Sequence, residues 1–301
     1  MILKLYLLIY LRWIHFDRVA KKVNLRTLLK TIVRPIYNNN FGRYLVDKTL
    51  KFFWYNKPLR KYFTHNFTSG YLAVGEQNNY CISPEWITLD ISNADFNYDI
   101  RQHKPFPFAD ESVTIIYSSH MIEHLPENTC LYFFEEAYRM LKKGGVLRLE
   151  GPDTEKLVDE YKKGNELFFI NMLSKEEKKQ YGKSLQCHDV FVGQISCFIE
   201  RGVHLPVRIT KNEVDEKIKI LSPAEFADWC ISFQTNEQRQ SGGHINSIYL
   251  AKLAKALKLS GFKKIHNMKV GESSDSIMQE KLKGIERAHR DYFSIYVEAK
   301  K

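Results

Sequence analysis

The segment His120-Met121-Ile122-Glu123-His124 carries the densest chemistry in the chain: two imidazoles four residues apart, with a carboxylate beside the second. On a helix this spacing puts both imidazoles on one face, the H-x-x-E-H arrangement by which some hydrolases hold zinc. No third ligand can be picked out from the sequence. The expectation is therefore that no metal binds, and that Glu123 and His124 cap and pack the helix that follows a strand. Cys187-His188-Asp189, Cys197 and His204 offer a second set of donors, but their spacings match no zinc finger. Asp90 and Asp99 follow short β-rich runs, where a carboxylate can accept from a ligand's hydroxyl or amino groups or simply close a turn.

The elements that would position these groups read as an α/β unit beginning near residue 71. Tyr71–Gly75 and Trp86–Asp90 are the first two strands, Phe96–Ile100 a short third, Ser112–Ser118 a fourth and Val146–Glu150 a fifth. Leu131, Phe134, Ala137, Tyr138 and Leu141 recur at helical spacing between the last two, closed by Lys142-Lys143 and the Gly144-Gly145 stop. In such a sheet, ligands bind outside the carboxyl ends of the strands. Those ends are Gly75, Asp90, Asp99, Ser118–His120 and Gly151–Asp153, all polar or glycine. An acid at the end of the second strand suits both hydroxyls of a ribose.

Several blocks together resemble the class I S-adenosylmethionine-dependent methyltransferases, in particular the small type 11 group. They are YLAVGEQ, WITLDIS, YDIRQHKPFPFADESVTIIYSSHMIEHLP and EEAYRMLKKGGVLRLEGPD, followed near the end by GGHINSIYLAKLAKALKLSGFKKI and SIYVEAKK. The resemblance implies a Rossmann-like α/β fold: a seven-stranded, mostly parallel sheet with helices on both faces. Residues 63–301 would form this domain, with a helical insertion at about 154–242 acting as a lid over the acceptor. Residues 1–62 would be an N-terminal helical extension. The implied cofactor is S-adenosylmethionine, held by Gly75, Glu76, Asp90, Asp99, Ile100, Ser118 and Ser119, with Asp99 accepting from the adenine amino group. His120, His244 and Asp153 are the candidate bases that would take a proton from the acceptor hydroxyl. One departure stands out: Gly75-Glu76-Gln77 replaces the family's G-x-G, and a left-handed Gln77 would cost on the order of 1 kcal/mol. Glu76 could offset this by accepting from the ligand's α-amino group. A binding or assembly module without catalysis is the alternative reading.

The formal net charge of +10 is concentrated at one end. Residues 1–62 hold 14 Lys or Arg and two acids, which leaves the remaining 239 residues at −2. The opening run MILKLYLLIYLRWI is interrupted by Lys4 and Arg12 and is shorter than a membrane span of about 20 residues, and it carries no cleavage signal. Val19, Val23, Leu28, Leu29, Ile32 and Val33 then alternate with basic residues as a basic amphipathic helix. Its expected partner is an anionic membrane surface or the body of the protein itself. A nucleic-acid arm for RNA or DNA methylation is a third reading, though nothing in the leader resembles a nucleic-acid-binding motif. Five cysteines without a C-x-x-C pair suit a reducing, cytoplasmic setting. Type 11 proteins accompany surface-polysaccharide assembly, so the resemblance implies a small or glycan-like acceptor and work at the inner membrane face.

Overall fold

The structure, a computed structural model, describes residues 70–75, 86–173, 186–282, 285–286 and 290–301. The basic leader and the pair Glu76-Gln77 lie outside the described residues. In chain order the strands are β1 (Tyr71–Val74), β2 (Trp86–Asp90), β3 (Phe96–Asn97), β4 (Val113–Ser119) and β5 (Leu141–Pro152). They are followed by β6 (Cys197–Glu200), β7 (Val203–Pro206), β8 (Lys264–Met268) and β9 (Ser294–Lys300). Seven of them form one sheet in the order β3-β2-β1-β4-β5-β9-β8, and β6 and β7 pair as a separate hairpin. β1 to β5 run parallel, whereas β9 lies antiparallel to both β5 and β8.

Strand alternation divides the core between the two faces of the sheet. Leu72, Val74 and Ile116 pack with Phe133, Phe134 and Ala137 of α1 (Glu127–Met140) and with Leu253 and Leu257 of a later helix, Leu250–Leu259. Ala73, Ile115 and Tyr117 point the other way, onto Met278 and Leu282 of the helix Ser276–Leu282. Both faces are thus covered. The third strand is shorter than its sequence suggests because Asp99 caps a 3-10 turn at Ile100–Gln102. The fifth is longer: Leu141 already pairs with Val113, across an irregularity in the register.

The segment from 154 to 242 supplies six helices among the described residues: α2 (Thr154–Lys162), α3 (Glu166–Met172), α4 (Cys187–Ile195), α5 (Lys211–Ile220), α6 (Pro223–Ser232) and α7 (Asn236–Gln240). Local sequence sets their starts. Thr210 with Glu213, Ser222 with Glu225 and Thr235 with Gln238 form reciprocal capping boxes. Their apolar faces close a core of their own around Leu157, Phe169, Phe191, Val214 and Phe226, in which Phe191 stacks on Phe226 at 5.4 Å. The helices α8 (Leu250–Leu259) and α9 (Ser276–Leu282) complete the sheet domain. Among the described residues no helix is long and apolar enough to cross a membrane.

Candidate active site

The carboxyl ends of β1, β2 and β4 open into a cavity of about 450 Å³. Gly75, Asp90, Asp99, Ile100 and His120 line one side of it, and Gln240, Ser241 and Gly242 come in from the end of the insertion. Gly75 donates its N–H to Leu89 O at 2.8 Å and holds φ at +78°. Asp90 is half-buried; burial pushes its carboxyl upward while the N–H groups of Ile91 and Ser92 pull it down. The Asp99 carboxylate accepts from Nε and Nη2 of Arg101, at 2.8 and 2.9 Å, and this bidentate pairing holds it below the ordinary aspartate range. A groove of about 610 Å³ between α1 and α8 is larger but carries none of the predicted site residues.

The chain leaves β4 through His120, whose φ of +47° turns the imidazole out of the strand and into the cavity wall. Its Nδ1 lies 3.1 Å from Glu123 Oε1, and its Nε2 lies 3.0 Å from Ser294 Oγ and 3.6 Å from Glu150 Oε1. Burial pulls the imidazole down, but the two carboxylates outweigh it and hold it above its ordinary value. Burial likewise pushes Glu123 up; His120 and the neighbouring imidazoles bring it down to about 2. Ser118 and Ser119 are buried beneath the cavity and are not among its lining residues. Ser119 donates to Glu150 Oε2 at 2.8 Å, as Tyr117 does at 2.9 Å.

The expectation for Glu123 and His124 needs correcting. Ile122–His124 is a 3-10 turn, α1 begins only at Glu127, and no side chain caps it. The helical geometry that would align His120 with His124 is therefore absent, although both imidazoles approach Glu123 Oε1, at 3.1 and 4.0 Å. Asp153 is committed to the start of α2, where its Oδ1 accepts from Glu155 N and Lys156 N. His244 is buried beside His124, with ring centroids 4.8 Å apart, and does not line the cavity. Glu76 lies outside the described residues. Sequence reasoning missed Glu150, Arg101 and Gln240–Gly242. A buried glutamate in the centre of an apolar strand was the available signal for Glu150; nothing local marked the other four.

A family model described as a methyltransferase domain matches residues 75–149, which run from the cavity glycine to the strand bearing Glu150. Over those residues the chain is similar to a methyltransferase domain. Its seven-stranded sheet is the methyltransferase fold expected from the sequence. No curated protein matches the chain. Among solved structures it is similar to an S-adenosylmethionine-dependent methyltransferase from Archaeoglobus fulgidus at 12% identity, covering 81% of this chain and 92% of the other, with a TM-score of 0.36. A methyltransferase from Thermotoga maritima, described as a possible histamine N-methyltransferase, gives 12% identity, 89% and 99% coverage and 0.36. Human N-acetylserotonin methyltransferase gives 12%, 96% and 66%, and 0.34. Likeness at this level carries no substrate across. In the methyltransferase domain itself the cofactor fits the residues present: a Cβ-free Gly75, a half-buried acid at the end of β2 and the apolar wall of Ile100 and Leu125.

Proposed function

We propose that the protein transfers a methyl group to a hydroxyl of a small or glycan-like acceptor linked to surface polysaccharide. The observation that carries this reading is the single cavity shared by the sheet ends and the insertion terminus, with Asp90 and Asp99 on one side and Gln240–Gly242 on the other. S-adenosylmethionine bound there supplies an electrophilic methyl on a sulfonium centre. Asp90 accepts from the ribose hydroxyls, Ile100 covers the adenine ring, and Gly75 leaves room for backbone to approach the ligand. Transfer needs the acceptor oxygen in line with that methyl, so most of the catalytic effect comes from positioning. Of the three candidate proton acceptors only His120 lines the cavity, and this reading assigns it to the acceptor hydroxyl. The acceptor enters beside the insertion, which acts as its lid. The basic leader docks the protein on the anionic inner face of the membrane, where lipid-linked glycans sit.

Calorimetric titration with S-adenosylmethionine and with its demethylated product tests the core of this reading. Binding is expected, and Asp90→Ala should abolish it without altering the thermal unfolding of the unliganded protein. Absence of heat or thermal shift at millimolar ligand would overturn it.

A further inference from the structure

We infer that Glu123, His124 and His244 form a binding site for one divalent first-row transition-metal ion, set into the wall of the cofactor cavity. One ligand atom from each lies within 4.8 Å of the others. Metal–nitrogen bonds of about 2.0–2.1 Å put ligands roughly 3.3–3.5 Å apart on one ion, so the trio closes by about an ångström around it.

The hydrogen bonds behind the two imidazoles determine which nitrogen faces the ion. His124 Nδ1 lies 2.9 Å from Gly242 O, and His244 Nδ1 lies 2.8 Å from Gln194 O. A carbonyl can only accept, so each Nδ1 carries the proton and each Nε2 keeps its lone pair. This is the backbone-anchored arrangement by which ligating histidines are oriented.

The third ligand supplies the charge. Glu123 is 1% exposed, and neither carboxylate oxygen makes a hydrogen bond of normal geometry among the described residues. Oε1 contacts His120 Nδ1 at 3.1 Å and His124 Nε2 at 4.0 Å, while Oε2 has no partner there. Buried carboxylate oxygens are ordinarily satisfied, and a cation beside His124 and His244 would satisfy both. The backbone fixes the approach: Glu123 O accepts from Ile245 N at 2.9 Å and Asn246 N at 3.2 Å, locking the turn against the irregular segment that bears His244. His120 acts as a positioning residue for the Glu123 carboxylate.

Two imidazoles and one carboxylate suit Zn2+, Fe2+, Co2+ or Mn2+, and not Mg2+, which prefers oxygen donors and its own water. Three protein ligands leave coordination positions open. His124 lines the cofactor cavity, and the exposed His204 ring stands 6.4 Å from it and 6.3 Å from His244. There the ion takes an acceptor oxygen as ligand; this role, unlike the site itself, rests on the transferase reading.

The test uses the full chain stripped with a chelator and titrated with Zn2+ alone. One equivalent is expected to bind. His124→Ala and His244→Gln should each weaken it by about 10-fold or more, and Mg2+ should give no heat. Where a variant fails to fold, the Co2+ form of the unsubstituted protein decides: visible absorption characteristic of nitrogen ligation is expected. Failure to bind Zn2+, or Zn2+ binding unchanged in both folded variants, or a Co2+ spectrum like that of the free ion, would overturn the site. Titration of the stripped protein with the demethylated cofactor separates the two readings. Cofactor binding without metal binding defeats only the metal site, and the reverse defeats only the transferase reading.

Discussion

A Cβ built on Gly75 would lie 2.3 Å from Cγ of Met121 and 2.6 Å from its Cβ, at a backbone φ of +78°. The end of β1 and the turn after β4 therefore meet at van der Waals contact only because position 75 has no side chain. Both strand ends border the cofactor cavity.

Gly75→Ala should be damaging twice over. The left-handed backbone costs about 1–2 kcal/mol for any residue with a Cβ. Displacing Met121 then moves the wall that His120 shares. The expected outcome is a lower melting temperature and loss of cofactor binding by calorimetry. A variant that melts normally and binds normally would show that the two strand ends can separate freely.

Arg148 is wholly buried in β5, with its Nε 2.8 Å from Glu286 Oε1, its Nη2 2.9 Å from Lys269 O, and its guanidinium 5.1 Å from the centre of the Tyr296 ring. Arg148→Met should cost about 3–5 kcal/mol, because it leaves the Glu286 carboxylate buried without its cation. The pair Arg148→Met with Glu286→Leu should recover much of that loss. Urea unfolding of the two single variants and the double variant measures the coupling; simple additivity of the single losses would refute it.

How much of this was legible in the sequence depended on range. β2 was read with the bounds it has, Trp86–Asp90, because a β-branched and apolar run between turn residues needs no distant partner to be recognised. The ends of β4 and β5 were harder. Ser118 and Ser119 looked like ligand contacts by position, yet the strand's alternation and the left-handed turn at His120 bury both and bring out the imidazole instead. His244 stands 120 positions from His124, and no local pattern links them. Their meeting depends on the insertion folding back so that Gly242 and Gln194 present their carbonyls to the two rings.

Glu136 gives a pH-dependent contribution whose sign can be worked out. Burial pushes its carboxyl up, but the hydrogen bonds from Arg139 and the Phe106 N–H outweigh this and hold it below the ordinary glutamate value. A depressed folded value means the contribution is fully present above the unfolded pKa of about 4.3 and is lost as pH falls through the folded value. Urea midpoints at pH 7 and below pH 4 should therefore differ less in Glu136→Gln than in the unsubstituted protein. Equal pH slopes in the two would remove Glu136 from the account.

The last prediction concerns the joint between the insertion and the sheet domain. A Cβ on Gly243 would lie 2.0 Å from Cys197 O and 2.6 Å from the Cα of Phe198, both backbone atoms that no rotamer change can move aside. Gly243→Ala must therefore push β6 away from the chain at 243–244, where Cys197 N now donates to His244 O at 3.3 Å and Gln234 Nε2 donates to the same oxygen at 2.7 Å. Glu123 meets this joint through the N–H groups of Ile245 and Asn246, whereas the β1–β2 side of the cavity is built by other segments. Hydrogen exchange should accordingly rise across Cys197–Pro206 and around His244 while β1, β4 and β5 stay protected. Binding of the demethylated cofactor, whose proposed contacts Gly75, Asp90 and Ile100 lie on the other side of the cavity from Gln240–Gly242, should change by less than about threefold. Uniform loss of protection across the sheet would mean that the insertion and the sheet fold as one cooperative unit, and that the lid cannot be loosened without losing the cofactor site.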